Sequence, residues 1–317
     1  MTTAAHLSWP ATGVALVTLA NPPRNFGNNE LAGKILACVT EADKAGASVV
    51  VLASDLPGIF ISHWSLAALV DAYSRPPGGP VRARPPGLFD LLETLPVVTI
   101  AANNGQAWGG GAELSWACDL RIAAESATYG QPEVALGIIP GGGGTTRLER
   151  LIGTTRCMAM VLDGRPITAQ QALAMGAINQ VVPDAELRAQ AIAWAVHIAQ
   201  WPRAALAAAK RALVEGRDLP LAAARRNEVQ IFSETARRTD ALDRLRSAQA
   251  RYEAGADSYE AIGLPRHGRS TSPTGPTGTT GSIDPTDPTG RTDPTGRTDP
   301  TSPTDPTSPT DPTSPTT

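Results

Sequence analysis

The sequence has few of the residues and segments that identify metal-binding, disulfide-bonded or membrane proteins. Its 317 residues include three cysteines, Cys38, Cys118 and Cys157, and four histidines. Neither set has the spacing of metal ligands, and scattered cysteines of odd number are typical of reduced thiols in a cytoplasmic protein. No apolar run reaches the ~18 residues of a membrane span, and the N-terminus lacks the basic and apolar segments of a signal peptide. We therefore expect a cytoplasmic protein with no metal and no membrane partner.

An excess of positive charge is also absent. With 27 basic and 30 acidic residues, the formal net charge is −3, so there is no bulk basic surface for a nucleic acid. Hydrophobic residues make up 42% of the chain, enough for a substantial core in one large domain or two small ones. These values are typical of a soluble enzyme and argue against a nucleic-acid partner.

The C-terminal segment has almost no apolar residues. From 286 to 315 the sequence repeats every six residues, as TDPTGR twice and then TDPTSP three times. Proline recurs throughout, and nothing in such a repeat offsets the entropy of ordering it. We predict that residues 268–317 are disordered and take no part in catalysis, with partner binding as the alternative role.

The first half of the chain alternates short apolar runs with helical patterns. Runs rich in valine and leucine predict strands at Val14–Leu19, Val49–Ala53 and Val97–Ala101. Apolar spacing between the first two predicts a helix over Glu30–Ala45, with Leu31, Ile35, Cys38 and Val39 on one face. Further helices are predicted from Leu66 and over Leu88–Thr94, separated by the proline-rich loop Ser74–Pro86. This alternation favours an α/β fold with a buried parallel sheet.

The second half is mainly helical. Apolar spacing, with Pro202 and Pro220 at helix starts, predicts seven helices: Thr145–Ile152, Thr154–Leu162, Ala169–Met175, Glu186–Gln200, Arg203–Glu215, Leu221–Thr235 and Asp240–Glu253.

Two glutamates in the segment Ile100–Arg147 are the candidate catalytic residues. Glu113 and Glu133 lie among small and apolar residues, each beside a glycine-rich or proline-marked turn. A carboxylate in such surroundings is costly to bury without a partner or a function. Together with exposed glycine N–H groups, the two carboxylates suggest acid/base chemistry on a carbonyl compound. For Glu113 the alternative is a charge that only stabilises a helix N-terminus.

Several short motifs follow one another in this segment: Asn104-Gly105, Gly109 to Leu114 (GGGAEL), Ala117 to Ala123 (ACDLRIA), Gly130 to Glu133 (GQPE) and Leu136 to Gly141 (LGIIPG) with Gly143 to Thr145. Their order and spacing resemble the crotonase family, also called the enoyl-CoA hydratase/isomerase family. Weaker resemblance extends from about Gly13 to about Arg251 and leaves the tail outside.

The resemblance implies a fold and an assembly. Members have a core of repeated ββα units wound into a spiral, followed by helices that mediate trimer formation. For this chain it implies a spiral core over residues 1–190, a helical oligomerisation region over 191–267 and a homotrimer or hexamer. The alanine-rich faces of Ala191–Ala199 and Ala204–Leu213 agree with such contacts.

The resemblance also assigns site residues. Glu113 and Glu133 match the two catalytic glutamates of the hydratases, and Gly110 matches the glycine that gives one oxyanion N–H. Aligning Phe60 and Leu66 puts Trp64 at the second N–H position. Contacts with CoA are expected from two segments: Arg24, Phe26, Ser62, His63, Ser65 and Leu66. The family usually has small residues where His63 and Trp64 stand, and an aspartate where Ser65 stands.

These assignments imply a lyase that adds water across the 2,3 double bond of an acyl-CoA thioester. The presence of both glutamates favours a hydratase, because isomerases of the family commonly need only the equivalent of Glu133. No separate cofactor is implied, since coenzyme A is part of the substrate. The alternatives are an enoyl-CoA isomerase, another crotonase reaction such as decarboxylation or thioester hydrolysis, and a catalytically weak acyl-CoA-binding protein.

Overall fold

The computed structural model describes residues 4–74 and 87–265. Contacts divide the chain into two units, Met1–Ile262 and Gly263–Thr317, and the helices and strands of the described residues all belong to the first. The predicted tail 268–317 and nearly all of the predicted loop Ser74–Pro86 lie outside the described residues. Within those ranges, no helix is both long enough and apolar enough to cross a membrane.

The strands of the described residues are β1 Ala4–Ala11, β2 Val14–Ala20, β3 Val49–Ser54, β4 Gly58–Ile61, β5 Val98–Asn103, β6 Gly105–Trp108, β7 Leu120–Ala124, β8 Thr128–Gly130, β9 Ile167–Thr168 and β10 Gln180–Val182. The α-helices are α1 Asn29–Lys44, α2 Leu66–Tyr73, α3 Leu88–Thr94, α4 Gly110–Ala117, α5 Arg147–Ile152, α6 Thr154–Asp163, α7 Ala169–Met175, α8 Leu187–Ala199, α9 Arg203–Gly216, α10 Leu221–Ala236, α11 Thr239–Glu253 and α12 Ser258–Ile262. Two short 3-10 helices cover Glu133–Leu136 and Asp184–Glu186.

The larger sheet has the order β1-β2-β3-β5-β7-β10 and is parallel except for the β1–β2 pair. Strands β3 and β5 are buried along their whole length. Their β-branched residues suit a pleated surface, and a parallel sheet is normally covered on both faces. The three strands predicted from valine-rich runs are confirmed, with ends that differ by at most two residues.

The smaller sheet has the order β4-β6-β8-β9 and consists of strands of two to four residues. The chain repeatedly adds a strand to the larger sheet, then one to the smaller sheet, and then forms a helix. This path occurs as β3, β4 and α2, then as β5, β6 and α4, and it recurs with β7, β8 and the first 3-10 helix. The predicted α/β class with a ββα spiral core is thus confirmed.

Helix α1 has the buried face that its apolar spacing predicts, with one exception. Leu31, Ile35 and Val39 are buried, but Cys38 is only partly buried. Its thiol lies at the edge of the face, where Sγ donates to the carbonyl oxygen of Ala5 in β1 at 3.6 Å. The predicted face is therefore confirmed, with Cys38 at its edge and packed against the core.

Helix α8 packs on the larger sheet, against β2, β3 and β5. Its buried residues include Ala191 and Ala195, which belong to the core. The predicted boundary between residues 190 and 191 falls inside this helix. Ala191 and Ala195 therefore pack within the chain, whereas Ala193 on the opposite side of α8 is exposed.

Candidate functional site

The backbone turns sharply where β6 ends and α4 begins. Gly109, between the two elements, has a φ of 49°, a conformation that favours glycine. A β-carbon at this position would lie 2.8 Å from Oε1 of Glu133. Glycine therefore lets the start of α4 approach the carboxylate on the first 3-10 helix.

The Glu113 carboxylate, in the first turn of α4, is buried and held by backbone N–H groups. Its Oε1 accepts from the N–H of Gly142 at 2.7 Å and from the N–H of Gly144 at 2.9 Å. Burial raises the pKa of Glu113, whereas these N–H groups and the positive charge of Arg147 lower it. The side chain is thus fixed in place without a direct ion pair.

Glu133 begins the first 3-10 helix and is also buried. The Gln131 side-chain amide can form hydrogen bonds through both its nitrogen and its oxygen in one of its two orientations. In this orientation the nitrogen donates to Oε1 and Oε2 of Glu133 at 3.2 and 3.1 Å, and the oxygen accepts from Nε1 of Trp116 at 3.1 Å. Gln131 thus holds the Glu133 carboxylate, just as the glycine loop of residues 141–144 holds the Glu113 carboxylate.

The two carboxylates influence each other's protonation. Burial raises the pKa of Glu133 to about 7, although a hydrogen bond from its own backbone N–H acts in the opposite direction. The negative charge of Glu113 adds to the rise. Near neutral pH, Glu133 is therefore present in both protonation states, as an acid or base that exchanges protons with a substrate requires.

Two backbone N–H groups are free near these carboxylates. The N–H of Gly27 donates to the carbonyl oxygen of His63 at 2.9 Å. The Trp64 N–H belongs to the same trans peptide as that carbonyl, so it points away from Gly27. In the same way, the carbonyl of Gly109 accepts from the Glu113 N–H at 2.9 Å, so the Gly110 N–H points out of the N-terminus of α4.

The segments that bear these two N–H groups are in contact. A β-carbon at Gly110 would lie 3.0 Å from Cε3 and 3.2 Å from Cβ of Trp64. Among the described residues, neither N–H has a protein acceptor. The structure thus brings together the four residues predicted to act in catalysis: Trp64, Gly110, Glu113 and Glu133. Such a pair of donors beside two carboxyl groups can stabilise an oxyanion while protons are transferred.

The residues predicted to contact CoA have different environments. His63 lies against Phe26, with ring centroids 4.6 Å apart, and its Nδ1 is 2.7 Å from the carbonyl oxygen of Trp64. Arg24 is exposed in the turn before Phe26. These residues lie on the two segments that meet at the bridge between Gly27 and Trp64.

The three other predicted binding residues flank the start of α2. Ser62 is buried, and its hydroxyl has no partner among the described residues. The hydroxyl of Ser65 accepts from the N–H of Ala68 at 3.3 Å and caps α2, which gives it a structural role. Leu66 is exposed at the first position of that helix.

Three interactions of the site involve residues to which the sequence assigned no role. Gly142 and Gly144 hold Glu113, and Gln131 holds Glu133. Gln131 and Gly144 lie inside the motifs that carry the resemblance, and Gly142 lies between two of them, so their positions were available as a signal. Their partners were not, because the Glu113 contacts join residues about thirty positions apart.

Arg147 is a further residue that the sequence did not indicate. Its Nη1 donates to the carbonyl oxygen of Gly142 at 2.9 Å. Its Nη2 contacts Asp90 at 2.8 Å and Glu93 at 2.7 Å, both on α3. Arg147 therefore ties the glycine loop that holds Glu113 to a neighbouring helix.

A cleft of about 380 Å³ lies elsewhere, between α9 and α10. It is lined by neither Glu113 nor Glu133, and its rim carries the exposed ion pair of Arg211 and Glu234. Among the described residues, no group of three or more histidine, cysteine or acidic side chains could hold a metal ion. The paired carboxylates therefore remain the candidate site.

Comparisons with known proteins show the family of the chain. A sequence model of the enoyl-CoA hydratase/isomerase family matches residues 10–259. The chain is 36% identical over 234 residues to a probable mitochondrial enoyl-CoA hydratase of Dictyostelium discoideum, covering 70% of this chain and 79% of that protein. It is 35% identical over 221 residues to 2,3-dehydroadipyl-CoA hydratase of Escherichia coli (strain K12), covering 69% and 86%.

Solved structures and longer relatives were also found. The crystal structure of an enoyl-CoA hydratase from Bacillus anthracis superimposes with a TM-score of 0.69 at 31% identity, covering 78% of this chain and 96% of that one. The match covers only 26% of the fatty acid β-oxidation multifunctional proteins of Brassica napus and Arabidopsis thaliana, at 36% and 35% identity. The chain thus spans about a quarter of the length of the multifunctional proteins, and most of the length of the two hydratases and of the crystal structure.

Proposed function

Because the chain belongs to the enoyl-CoA hydratase/isomerase family, we propose that it is a hydro-lyase that adds water across the 2,3 double bond of an acyl-CoA thioester. The observation that carries this proposal is the pair of buried, mutually interacting carboxyl groups of Glu113 and Glu133 beside two free N–H groups. Both carboxyl groups are needed to hold and split a water molecule, whereas a proton shuttle needs one.

The N–H groups of Trp64 and Gly110 would bind the thioester oxygen. Attack on C3 shifts the π electrons toward C2 and the carbonyl, so negative charge develops on that oxygen. Donors already aimed at the charge lower the barrier, and losing one typically costs about 3 kcal/mol. Since both donors belong to the backbone, they are held by the fold itself.

The two glutamates would divide the proton transfers. The Glu113 carboxylate accepts hydrogen bonds from two backbone N–H groups. It takes a proton from the water molecule as the water oxygen bonds to C3. Glu133, with a pKa of about 7, gives its proton to C2. One water is added in total, and proton exchange between the carboxyl groups and solvent restores the starting state.

We propose a cytoplasmic location and CoA contacts from both segments that meet at Trp64. The rings of Phe26 and His63 lie against each other at a tilt of 41° and offer a surface to the thioester arm, while exposed Arg24 is suited to a phosphate. The three cysteines are unpaired, which is typical of a reducing compartment. Coenzyme A enters as part of the substrate, and no separate cofactor is proposed.

We also propose a homotrimer or a hexamer. Its support is the family and the exposed apolar residues of the C-terminal helices. Leu221, Val229 and Phe232 of α10 are 76%, 63% and 69% exposed. These three share one side of the helix, since their spacing returns to the same face. Large apolar side chains this exposed on one side of a helix are typical of a protein interface.

A product screen tests the reaction. The full chain is incubated with a trans-2-enoyl-CoA, a 3-enoyl-CoA and a malonyl-type CoA ester, and the products are identified by mass and by loss of enoyl absorbance. We expect the 2-enoyl ester to give a 3-hydroxyacyl-CoA, with the Glu113→Gln, Glu133→Gln double variant as the inactive control. An unchanged 2-enoyl ester beside turnover of another ester would contradict hydration.

The isomerase alternative rests on Glu133, because a single carboxyl group with a pKa of about 7 suffices to move a proton along an acyl chain. Conversion of the 3-enoyl ester without formation of a hydroxy product favours it. Tight binding of CoA esters without any turnover favours instead the acyl-CoA-binding protein.

A further inference from the structure

The Trp64 indole is packed between two glycines. A β-carbon at Gly27 would lie 2.6 Å from its Cε3, and one at Gly110 would lie 3.0 Å from the same atom. Only the absence of side chains at both positions leaves room for the ring. The indole therefore has a fixed place, next to the helix start that carries Glu113.

Phe89 of α3 extends this surface. Its ring meets Trp64 edge-on, with centroids 6.0 Å apart and an interplanar angle of 79°. At Gly142, a β-carbon would lie 2.5 Å from Cε2 of Phe89 and 2.6 Å from Oε2 of Glu113. The phenyl edge and the Glu113 carboxylate thus approach the same glycine. Trp64 and Phe89 form one aromatic wall that ends at this carboxylate.

We propose that the aromatic wall of Trp64 and Phe89 closes the acyl end of the site and restricts the substrate to short acyl groups of about crotonyl size. The inference rests on the proposed function, which orients the acyl group. With the thioester oxygen at the Trp64 and Gly110 N–H groups and C3 at Glu113, carbons beyond C3 run toward the wall. Both rings are held by close glycine contacts, so a longer chain meets them instead of displacing them.

Turnover of a chain-length series tests the wall. For the wild-type chain we expect kcat/KM to fall by about tenfold or more from crotonyl-CoA to 2-decenoyl-CoA, the scale on which a pocket rejects added methylene groups. Trp64→Ala keeps the backbone N–H and removes the indole, and Phe89→Ala removes the other ring. Each variant is expected to raise the decenoyl-to-crotonyl ratio of kcat/KM, and the double variant to raise it further.

A matched control and a second variant keep the test specific. Trp9→Ala removes an indole that is 46% exposed on β1 and should leave the ratio unchanged. If the alanine variants melt at a lower temperature than the wild-type chain, Phe89→Leu is used in place of Phe89→Ala, because leucine keeps most of the apolar packing of α3. Equal turnover of all lengths by the wild-type chain, or a ratio unaffected by either ring, would overturn the proposal.

Binding separates this inference from the proposed reaction. Butyryl-CoA and decanoyl-CoA are saturated and are not hydrated, so calorimetry measures their fit alone. We expect the wild-type chain to prefer butyryl-CoA and Trp64→Ala to lose that preference. If the chain hydrates no enoyl-CoA yet prefers butyryl-CoA, the proposed hydratase activity is wrong and the proposed role of the aromatic wall is retained. If it hydrates crotonyl-CoA and binds both saturated esters equally, the wall is wrong and the reaction stands.

Discussion

Glu113 and Glu133 acquire different protonation behaviour from their neighbours. Burial raises the pKa of Glu113, while hydrogen bonds from two backbone N–H groups and the charge of Arg147 oppose that rise. Glu133 accepts the weaker donation of one side-chain amide and feels the charge of the other carboxylate. Hydrogen bonds to its charged form suit Glu113 to the role of base, and a pKa of about 7 suits Glu133 to the role of acid.

Replacing either glutamate by glutamine is expected to lower the rate of hydration by at least ~100-fold, the usual scale of lost acid/base help. Each change keeps the shape and removes only the titrating group. Initial rates with crotonyl-CoA measure the loss. Full activity of Glu113→Gln beside an inactive Glu133→Gln would reject the two-carboxylate mechanism and favour isomerase-like chemistry.

The pH dependence follows from the same residues. Donation to C2 requires protonated Glu133, so kcat/KM for hydration should fall as pH rises through about 7, the raised pKa of Glu133. Gln131→Met removes the two N–H contacts that favour the charged form. It should therefore raise that pKa and move the alkaline limb upward by about one unit. A limb that stays in place would show that another group titrates.

The protonation of Glu133 also bears on folding. Its pKa is raised in the folded state, so between the unfolded value of 4.5 and about 7 the folded chain binds more protons. The free energy of unfolding therefore falls as pH rises through this window. This carboxyl group thus destabilises the fold at neutral pH, a cost that is common at catalytic sites.

At the scale of elements, the glycine loop before α5 is held on two sides. The Gly142 N–H binds Glu113 and its carbonyl accepts from Arg147, which is anchored on Asp90 and Glu93 of α3. A shift of the loop would move the carboxylate with it. Arg147 thus acts as a positioning residue, without contacting the proposed substrate.

Arg147→Met is expected to lower kcat for hydration by about tenfold to 100-fold, the scale of a small misplacement of a catalytic group, with a smaller change in KM. The lost charge also removes an influence that lowers the pKa of Glu113, so the acid limb of the pH profile should move to higher pH. Arg147→Lys keeps the charge and should keep the limb. If the acid limb of the pH profile does not move in Arg147→Met, the charge of Arg147 does not influence Glu113 and the residue only contributes packing.

Helix α9 is fastened to the sheet by one buried ion pair. Lys210 Nζ contacts Oδ2 of Asp119 at 2.8 Å and donates to the carbonyl oxygens of Leu92 and Val97 at 2.7 and 3.0 Å. The Asp119 carboxylate also accepts from the N–H of Thr99 at 2.7 Å. The pair thus joins α9 to the end of α3 and to β5.

Lys210→Met should lower the free energy of unfolding by about 3 to 5 kcal/mol, because it leaves a buried carboxylate without its counter-charge. Denaturant titration measures the loss. In the double variant with Asp119→Asn the loss should be smaller than the sum of the two single losses. Additive losses would show that the two side chains do not stabilise each other.

The sequence predicts the long elements better than the short ones. The strand Val49–Ser54 is identified by its run of buried β-branched and leucine residues, and the helix Asn29–Lys44 by the spacing of its apolar residues. Strands β4, β6, β8 and β9 have four residues or fewer, too few for any period, and they are strands because each pairs with a distant neighbour. Strand β1 was also missed, since its residues are mostly half-buried or exposed.

Some residues of the candidate site could be predicted from the sequence, and others could not. Glu113, Glu133 and Gly110 were identified because family motifs fix their positions along the chain. The cradle formed by Gly142, Gly144 and Arg147 depends on contacts between distant segments. Composition does not encode such pairing, so the supports of the glutamates became visible only in three dimensions.

At the scale of the whole molecule, the C-terminal helices leave apolar side chains uncovered. Leu213 of α9 is 74% exposed, and Val229 and Phe232 of α10 are 63% and 69% exposed. By contrast, α8 buries its apolar residues against its own sheet. An interface between copies is therefore expected on α9 and α10.

Phe232→Glu, alone or with Val229→Glu, is expected to convert a trimer into monomers, because a charge cannot be buried there without a partner. Light scattering at micromolar concentration measures the change. Trp9→Glu places the same charge on β1, outside these helices, and should leave the assembly intact. A wild-type chain that is already monomeric would remove the oligomer proposal.

The peptide N–H of residue 64 separates the chemistry of this enzyme from its selectivity. Every residue type except proline supplies that N–H, so the proposed oxyanion donor persists whatever side chain is attached. The indole, meanwhile, occupies the place next to Gly27 and Gly110. On this proposal, a single substitution of residue 64 changes the shape of the acyl pocket and leaves the proposed backbone donor in place. Substitutions at residue 64 are therefore expected to change which acyl groups are accepted without loss of the backbone donor. Proline is the exception, because it has no backbone N–H.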